Sequence, residues 1–520
     1  MKRVLSILLL SACAGVGMAQ KHIAAWGDQG NGTYINPILN ADYSDPDVIR
    51  VGNAYYMVAS DFHFLGMQVL KSDDMVNWRL ISQDYDRFDY PGWESNERYA
   101  GGSWAPAIRY HDGKFWVFFC TPDEGLFMSN AVNAEGPWSP LVRVADIPMW
   151  EDPCPFWDDD GNAYLGRSKH GAGPIIIHRM SPDGTKLLDE GRTVYTGPVA
   201  EGTKIHKYNG YYYLSIPEGG VETGWQTVLR SKSIYGPYEK RVVLEQGMTD
   251  VNGPHQGSIV DTPYGEWWFF HFQQYKTLGR VVHLQPMHWK DGWPVIGVDR
   301  DMNGIGEPVK AWVKPSTGAT SDIEIPASSD HFDGSSLALQ WQFNHNPTTD
   351  NAPSLTDGKC LFRAFKSSTF KQARNTLTQK TMGYETVYTV VMEWSDEQMT
   401  DGQRCGMACM GRENQVLGIM QEDGKRYLYT AREESELKRK SFSGNKVFLR
   451  LETDAVRNIY RLSYSTDNVN YDTLTDEFAM RFGFWKGVRV ALYCYNTLTD
   501  SGEASFDDFR VVYNNHDNTK

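Results

Sequence analysis

The 520-residue chain lacks features that whole classes of protein need. Beyond its first residues it has no apolar run long enough to span a bilayer, and no stretch of useful length shows helical periodicity. It also lacks an excess of positive charge. The formal net charge is −14, which argues against nucleic acid as a partner. Because helical periodicity is lacking, β-strands are the main element that the sequence predicts.

Cysteine is scarce as well, with seven residues in the whole chain. This density is low even for an exported protein, where disulfides can form. Cys405 and Cys409 have the look of metal ligands, but no cluster of His or Cys accompanies them. We therefore expect buried free thiols rather than a metal site.

The N-terminal segment is typical of a secretory signal. Lys2 and Arg3 precede a short apolar run, and small residues follow up to Ala19. We expect residues 1–19 to be a signal peptide, with an exported, periplasmic product. Residues 10–13 also resemble a lipoprotein processing box, so a lipid anchor at Cys13 in the cell envelope stays an alternative.

What the chain does have is aromatic residues, 13% of the total, and a repeat in its first 300 residues. Each of five segments begins with a polar or aromatic residue that is followed four positions later by Ile or Phe, then by a glycine turn and aromatics. They start at Asp45, Trp104, Asp152, Glu201 and His255, at a period of roughly 50 residues. Each unit reads as strand, tight turn and strand, with a second hairpin in several units. Five units of four short strands predict a five-bladed β-propeller.

In a propeller, equivalent positions of successive blades are related by rotation about the central axis. The five leading residues are therefore expected to ring one pocket at one mouth of the channel. The offset of four from Ile49 selects Asp45 rather than Asp47 as the residue that faces this pocket.

Three of the five leading residues are carboxylates, which indicates hydrolysis of a glycosidic bond. That reaction commonly uses one ionised and one protonated carboxyl group, and inverting enzymes hold the pair about 6.5–9.5 Å apart. Asp45 and Glu201 come from non-adjacent units, which suits that separation. Asp152 could orient Glu201 and raise its pKa by like-charge repulsion. Taken singly, such residues are also common in turns and at solvated strand edges.

These motifs, taken in order, resemble glycoside hydrolase family 43. The resemblance covers about residues 33–315 and is carried by the segments 44–49, 103–106, 151–153, 201–202, 255–257 and 278–280. It implies an inverting mechanism with Asp45 as general base, Glu201 as general acid and Asp152 as pKa modulator and orienter. It also implies that Arg280 binds the sugar in the subsite that is cleaved. One departure is that Gly-Thr-Lys follows Glu201, where many members have Gly-Pro.

Further positions carry two interpretations each. Trp104 is expected to stack on a sugar, with packing in the channel wall as the alternative. Phe62 matches an aromatic that walls the sugar pocket in similar enzymes, and core packing is its alternative. His255 would face the axis, where many family members hold a hydrated calcium ion, or it is a hydrogen-bonded channel histidine. No cofactor is expected to be required beyond such a structural calcium ion, which would be held mainly by water because calcium prefers oxygen ligands.

A second β-domain is predicted after a polar, small-residue linker. Residues 328–515 contain alternating strands without a helix or repeat, which favours a β-sandwich. Segments 337–347 and 373–377 resemble the lectin-like, concanavalin-like (jelly-roll) C-terminal domain of two-domain β-xylosidases and arabinofuranosidases. In those enzymes the sandwich docks against the propeller and one loop can narrow the pocket.

The expected activity is exo-acting removal of a terminal pentose from hemicellulose side chains or oligosaccharides, with arabinoxylan or xyloglucan as the parent polymer. We expect an α-L-arabinofuranosidase first, with a β-D-xylosidase or a bifunctional enzyme as the alternative. A non-catalytic sugar-binding propeller is disfavoured because all three acids are present. An endo-acting arabinanase is disfavoured because the sandwich domain tends to close one side of the groove.

Overall fold

The computed structural model describes residues 26–94, 98–348 and 353–513. The expected signal peptide and Cys13 lie outside these residues. The described chain begins with two short strands, β1 (Gly27–Asp28) and β2 (Thr33–Ile35). Its helical content is one 3-10 turn, Lys276–Leu278, and no helix in the described ranges is long and apolar enough to cross a membrane.

Five four-stranded antiparallel sheets follow, each a meander in chain order. The first sheet holds β3 (Ser44–Val51), β4 (Ala54–Ser60), β5 (Gln68–Ser72) and β6 (Arg79–Gln83). The second holds β7 (Trp104–His111), β8 (Lys114–Thr121), β9 (Gly125–Ala131) and β10 (Val142–Ala145). The third holds β11 (Trp150–Trp157), β12 (Ala163–Lys169), β13 (Ile175–Met180) and β14 (Arg192–Tyr195). The fourth holds β15 (Lys204–Tyr208), β16 (Tyr211–Glu218), β17 (Trp225–Ser231) and β18 (Glu239–Leu244). The fifth holds β19 (Ile259–Asp261), β20 (Trp267–Tyr275), β21 (Gly279–Lys290) and β22 (Trp293–Ile296).

These sheets are the five predicted blades, and their first strands surround the axis. Strand β3 packs against β7, β7 against β11 and β11 against β15, and β19 packs against β3. Hydrogen bonds tie these inner strands together: Ile108 N donates to Asp47 Oδ2 at 2.8 Å, and Val48 N donates to Ser258 Oγ at 2.8 Å. The second bond joins the last blade to the first and so closes the ring.

The aromatic repeat fills the space between blades. Tyr56 of the first blade meets Phe115 of the second, with ring centroids 4.7 Å apart. Trp78 of the first blade meets Phe270 of the fifth at 5.8 Å. Because each blade exposes an apolar face to its neighbours, the aromatic second strands are buried on both sides. Strand β23 (Ala311–Val313) pairs with β2 and ends this part of the chain.

The remaining strands form two stacked sheets. They are β24 (Gln342–Phe343), β25 (Ser354–Thr356), β26 (Lys359–Arg363), β27 (Phe365–Lys366), β28 (Leu377–Lys380), β29 (Glu385–Glu393), β30 (Gln403–Met410), β31 (Asn414–Glu422), β32 (Lys425–Arg432), β33 (Ser435–Ser441), β34 (Lys446–Asp454), β35 (Ile459–Ser465), β36 (Arg489–Asn496) and β37 (Glu503–Tyr513). One sheet runs β24-β28-β36-β30-β31-β32-β33, with β27 beside β36, and the other runs β25-β26-β37-β29-β34-β35. A shared core that includes Trp341, Tyr388 and Met407 lies between them. The predicted all-β class, a propeller followed by a sandwich, is confirmed.

Thiols are not paired anywhere in the described residues. Cys120, Cys154, Cys360, Cys405, Cys409 and Cys494 are all buried and free.

Candidate active site

A distorted residue stands at the head of each inner strand. Asp45 and Asp152 have φ of 54° and 58°, in the left-handed region that non-glycine residues seldom adopt. The register of the adjoining strand pairs shifts at these points, between Ser44 and Asp47 and between Glu151 and Cys154. Each shift is a β-bulge, and a bulge re-aims a side chain next to a functional site. The bulges turn the two aspartates towards the mouth of the channel.

The same bulge in the other three blades falls one position later than the repeat predicted. The residues with positive φ there are Ala105, Gly202 and Gln256, with φ of 37°, 61° and 57°. The structural counterparts of Asp45 are therefore these residues, and not Trp104, Glu201 and His255. The offset of four holds in blades 1 and 3 only, because it counts residues and does not detect which of them forms the bulge.

Trp104, Glu201 and His255 belong to a second set, the residues that precede the bulge. Ser44 pairs with Ser60, Trp104 with Cys120, Glu151 with Ser168, and His255 with Phe272, each directly before the register changes. Glu151 is thus the counterpart of Glu201 one blade earlier.

A cavity of about 320 Å³ lies at this mouth. Six of the seven sequence-predicted site residues line it: Asp45, Phe62, Trp104, Asp152, Glu201 and Arg280. His255 does not line it, and its neighbour Gln256 does. Among the other lining residues, Glu151, His170, Gln256 and Trp485 carry acidic, amide or aromatic side chains and had no predicted role. Glu151 and Gln256 each stand next to a predicted residue in the chain and could have been found by allowing for a bulge.

Asp45 is held as a carboxylate between two donors. Arg280 Nη1 donates to Oδ1 at 2.7 Å, and Ser60 Oγ donates to Oδ2 at 2.7 Å. Arg280 is placed by β21, directly after the 3-10 turn, and its backbone N–H donates to Asp42 Oδ1. The guanidinium balances the charge of Asp45 in a site where both side chains are less than a tenth exposed.

Asp152 accepts three hydrogen bonds from the protein. Ser168 Oγ at 2.5 Å and Gly202 N at 2.8 Å both donate to Oδ2, and Gln256 Nε2 donates to Oδ1 at 3.2 Å. Burial raises the pKa of Asp152, while the first two donors oppose that rise. The bond to Gly202 links Asp152 to the residue that follows Glu201, so Asp152 helps to position that side chain.

Asp45 has an arginine as its ion-pair partner, whereas Glu201 lies close to a second acid, Asp152. Burial and the negative charge of Asp152 raise the pKa of Glu201 to about 8, although Arg280 works against the rise. The group therefore keeps its proton at neutral pH. Oxygens of Glu151, Asp152 and Glu201 lie within 4.8 Å of one another, close enough to share a cation or, with protons on two of them, to coexist without one.

An aromatic wall completes the cavity. The ring of Trp104 stacks on His170 with centroids 5.1 Å apart, and Trp485 meets both rings edge-on at 5.7 Å. Trp485 comes from the sandwich, in the loop between β35 and β36, and its carbonyl accepts a hydrogen bond from Ser44 Oγ at 3.3 Å. The pocket is therefore built by both domains.

His255 is buried beside the channel. Its Nδ1 lies 2.5 Å from the carbonyl of Gly253, its Nε2 has no hydrogen-bond partner, and its ring faces Phe272 at 5.3 Å. Burial lowers its pKa to about 4, and the nearby charge of Arg280 adds to this shift. Calcium takes oxygen ligands, so these side chains do not by themselves form a calcium site. The ion stays a prediction that depends on water ligands.

A larger cavity of about 690 Å³ lies further along the inner strands and includes Asp47. There the carboxylate of Asp47 is compensated by Arg109 at 2.6 Å and Lys204 at 3.7 Å. These cations hold the pKa of Asp47 below its usual range despite burial. The carboxyl groups whose pKa burial raises line the smaller cavity instead, which makes the smaller cavity the candidate active site.

An ionised carboxylate paired with arginine and a protonated carboxyl in one small cavity are the groups that cleavage of a glycosidic bond requires. Together with the propeller they define the protein as a glycoside hydrolase. Residues 34–294 match the family model "Glycosyl hydrolases family 43", and residues 329–512 match "Beta xylosidase C-terminal Concanavalin A-like domain". The chain belongs to glycoside hydrolase family 43.

Relatives of this chain carry names that describe an activity. The chain is 55% identical over 477 residues to a "Putative beta-xylosidase" of Xylanibacter ruminicola, which covers 91% of this chain and 88% of that protein. It is 34% identical over 558 residues to a "Beta-xylosidase" of Formosa agariphila, covering 95% and 93%. It is 32% identical over 369 residues to the "Non-reducing end alpha-L-arabinofuranosidase BoGH43B" of Bacteroides ovatus, covering 66% and 65%.

Proposed function

We propose that this glycoside hydrolase is an exo-acting β-D-xylosidase that removes terminal xylose from the non-reducing ends of hemicellulose-derived oligosaccharides. Two relatives that align along most of their length are both named as beta-xylosidases. The arabinofuranosidase that the sequence favoured first has less support. It stays a second candidate, because the Bacteroides ovatus relative is named for it.

The observation that carries the exo mode is the cavity itself. At about 320 Å³ it suits one sugar unit better than a polymer, and the sandwich loop with Trp485 walls one of its sides. A groove open at both ends, which an endo-acting enzyme needs, would require that loop to lie elsewhere.

The chemistry follows from the states of the carboxyl groups. Asp45, ionised beside Arg280, takes a proton from the water that attacks the anomeric carbon. Glu201, protonated, donates its proton to the glycosidic oxygen as the bond to the leaving sugar breaks. Asp152 holds the backbone at Gly202 and keeps the proton on Glu201 by its charge. Water attacks from the face opposite the leaving group, so the configuration at the anomeric carbon inverts.

The test is hydrolysis of an aryl β-D-xyloside and an aryl α-L-arabinofuranoside by the wild type, Asp45→Asn and Glu201→Gln. We expect the wild type to prefer the xyloside. Asp45→Asn should lower kcat at least about 10²-fold, the usual contribution of a general base. Asp89→Asn, at a carboxylate 79% exposed on the surface, is the control and should match the wild type.

Two outcomes would count against the assignment. Comparable turnover by the wild type and Asp45→Asn would remove the mechanism, and preference for the arabinofuranoside would favour the second candidate. Proton NMR of the first-formed sugar tests inversion separately, because a retaining enzyme would release the other anomer.

We also propose that the enzyme acts after export to the periplasm, on the strength of the charged and apolar N-terminal pattern. Mass spectrometry of the exported protein should show a chain that begins at Gln20. A lipid-modified N-terminus at Cys13 would establish the anchored alternative.

A further inference from the structure

Glu151 is a fourth carboxyl group in the active-site cavity, and the proposed mechanism does not use it. It precedes Asp152 in the chain and stands before the bulge of blade 3, as Glu201 does in blade 4. Two glutamates from adjacent blades thus face the same cavity from equivalent positions, with Asp152 close to both.

The contacts of Glu151 differ from those of the other acids. Its Oε2 lies 3.7 Å from His170 Nδ1, and its Oε1 is buried without a hydrogen-bond partner. A buried polar atom that lacks a partner costs about 1–3 kcal/mol. At a ligand cavity such a cost is removed when the ligand supplies the missing bond.

Glu151 is also the acid in this cavity least able to ionise. Burial and the charges of Asp152 and Glu201 raise its pKa to about 10, although a hydrogen bond from the backbone of Ala172 opposes the rise. A carboxyl group that keeps its proton throughout the neutral range is a hydrogen-bond donor, as a sugar hydroxyl requires.

Depth places Glu151 on the leaving-group side. Asp45, Asp152 and Arg280 are all less than a tenth exposed and form the inner end of the cavity. The side chain of His170 is 32% exposed and Trp485 is 39% exposed, so they form its mouth. In an exo-acting enzyme the terminal sugar fills the inner end and the next unit lies at the mouth. Glu151, beside His170, lies at the junction.

We propose that Glu151 and His170 bind the sugar unit that leaves, with Glu151 donating a hydrogen bond to one of its hydroxyls and the ring of His170, stacked on the buried Trp104, supporting the sugar ring. The proposal rests on the proposed exo-xylosidase function. It assigns Glu151 to recognition of the substrate and not to the proton transfers.

The test compares two substrates that share the terminal sugar and differ in the leaving group. The leaving group of an aryl β-D-xyloside is a phenol, whereas the leaving group of β-1,4-xylobiose is a xylose unit. For Glu151→Ala we expect kcat/KM on xylobiose to fall about tenfold or more, mainly through KM, because one hydrogen bond to the leaving sugar is lost. On the aryl xyloside the change should stay within about threefold. Glu151→Gln, which keeps a neutral donor, should restore most of the activity on xylobiose, and His170→Ala should show the same selective loss as Glu151→Ala.

Glu135→Gln, at a half-exposed surface carboxylate beside Lys71, is the control and should not change either rate. Equal losses on both substrates in Glu151→Ala would overturn the proposal, since a structural role affects both alike. A shift of the basic limb of the pH profile in Glu151→Gln would also overturn it, because Glu151 would then act through the charge felt by Glu201. If the wild type cleaves neither substrate, the proposed function fails, whatever the variants do.

Discussion

At the scale of single residues, the site works by keeping similar groups in different protonation states. Asp45 has an arginine and a serine as partners, and Asp152 has three donors. Glu201 has a neighbouring negative charge instead, and burial adds to the effect. Because a base must be ionised and an acid protonated at the same pH, this difference in partners is what makes the pair competent.

The pH dependence of activity tests the state of Glu201. The pKa of this group is raised to about 8, and it can act as an acid only while protonated. We therefore expect kcat/KM to be high at neutral pH and to fall as the pH rises through about 8. The pH profile of aryl xyloside hydrolysis measures this limb. A limb near the ordinary value for glutamate would mean that the site does not raise the pKa of the proton donor.

Asp152→Asn tests the origin of that raised pKa. The substitution removes the negative charge that helps to keep the proton on Glu201, so the basic limb should move to lower pH. An asparagine nitrogen must also face one of the donors that Asp152 now accepts from, so kcat should fall about 10²-fold. Asp160→Asn, an exposed turn residue, is the matched control and should leave the limb in place. An unmoved limb in Asp152→Asn would assign the shift to burial alone.

Asp45, Asp152 and Glu201 could be predicted from the sequence because each lies at the bulge or one residue before it, at the head of a blade that the repeat locates. Glu151 lies next to a predicted acid, and the repeat gave it no role because only one residue per blade was expected at the mouth. Gln256, rather than His255, lines the cavity for the same reason. A bulge lets two successive residues of one strand take part in the site, and a residue count does not reveal it.

At the scale of the strand, the positive-φ residue at each blade head is the local device that builds the site. In blade 4 this residue is Gly202, and a Cβ atom there would lie 2.6 Å from the ring of Pro217. Blades 1 and 3 carry an aspartate at the same position, where the left-handed conformation costs about 1 kcal/mol or more. In these two blades the side chain has a function, which explains why an aspartate occupies a position that glycine would adopt at less cost.

Gly202→Ala should separate steric conflict from backbone strain. We expect it to lower the free energy of unfolding by about 2–4 kcal/mol and to remove most of the activity, because the clash displaces Glu201. Gly210→Ala is the matched control: it lies in the same blade at φ 71°, and the nearest atom to its Cβ, Lys232 Nζ, is 3.9 Å away. It should cost only about 1 kcal/mol and retain full activity. If the two variants lose the same stability in thermal unfolding and the same activity in hydrolysis, the ring of Pro217 must move to make room for the added methyl group.

At the scale of the whole molecule, the two domains form one active site, and only part of this could be predicted. The strand pattern and linker predicted a second β-domain, and the family resemblance predicted that one of its loops narrows the pocket. The identity of that loop was not predictable, because Trp485 belongs to no repeat. Its neighbours Lys486 and Gly487 contact His63 and Asp42 of the propeller, more than 400 positions away in the chain.

The domain interface should depend strongly on one buried acid, Asp61. It forms ion pairs across the interface with Lys380 and with Arg489, whose Nη2 lies 3.4 Å from Oδ1. Burial lowers the pKa of both cations, that of Arg489 to about 10, and Asp61 opposes this shift.

Asp61→Ala would leave two buried cations unpaired, so we expect a loss of about 3–5 kcal/mol in the free energy of unfolding. Asp61→Asn should fall between it and the wild type, because an acceptor remains. Asp73→Ala, at a half-exposed pair with Arg79, should cost less than about 1 kcal/mol. Similar midpoints of Asp61→Ala and Asp73→Ala in denaturant unfolding would show that water reaches the interface, and the sandwich could then not hold Trp485 in place by this contact.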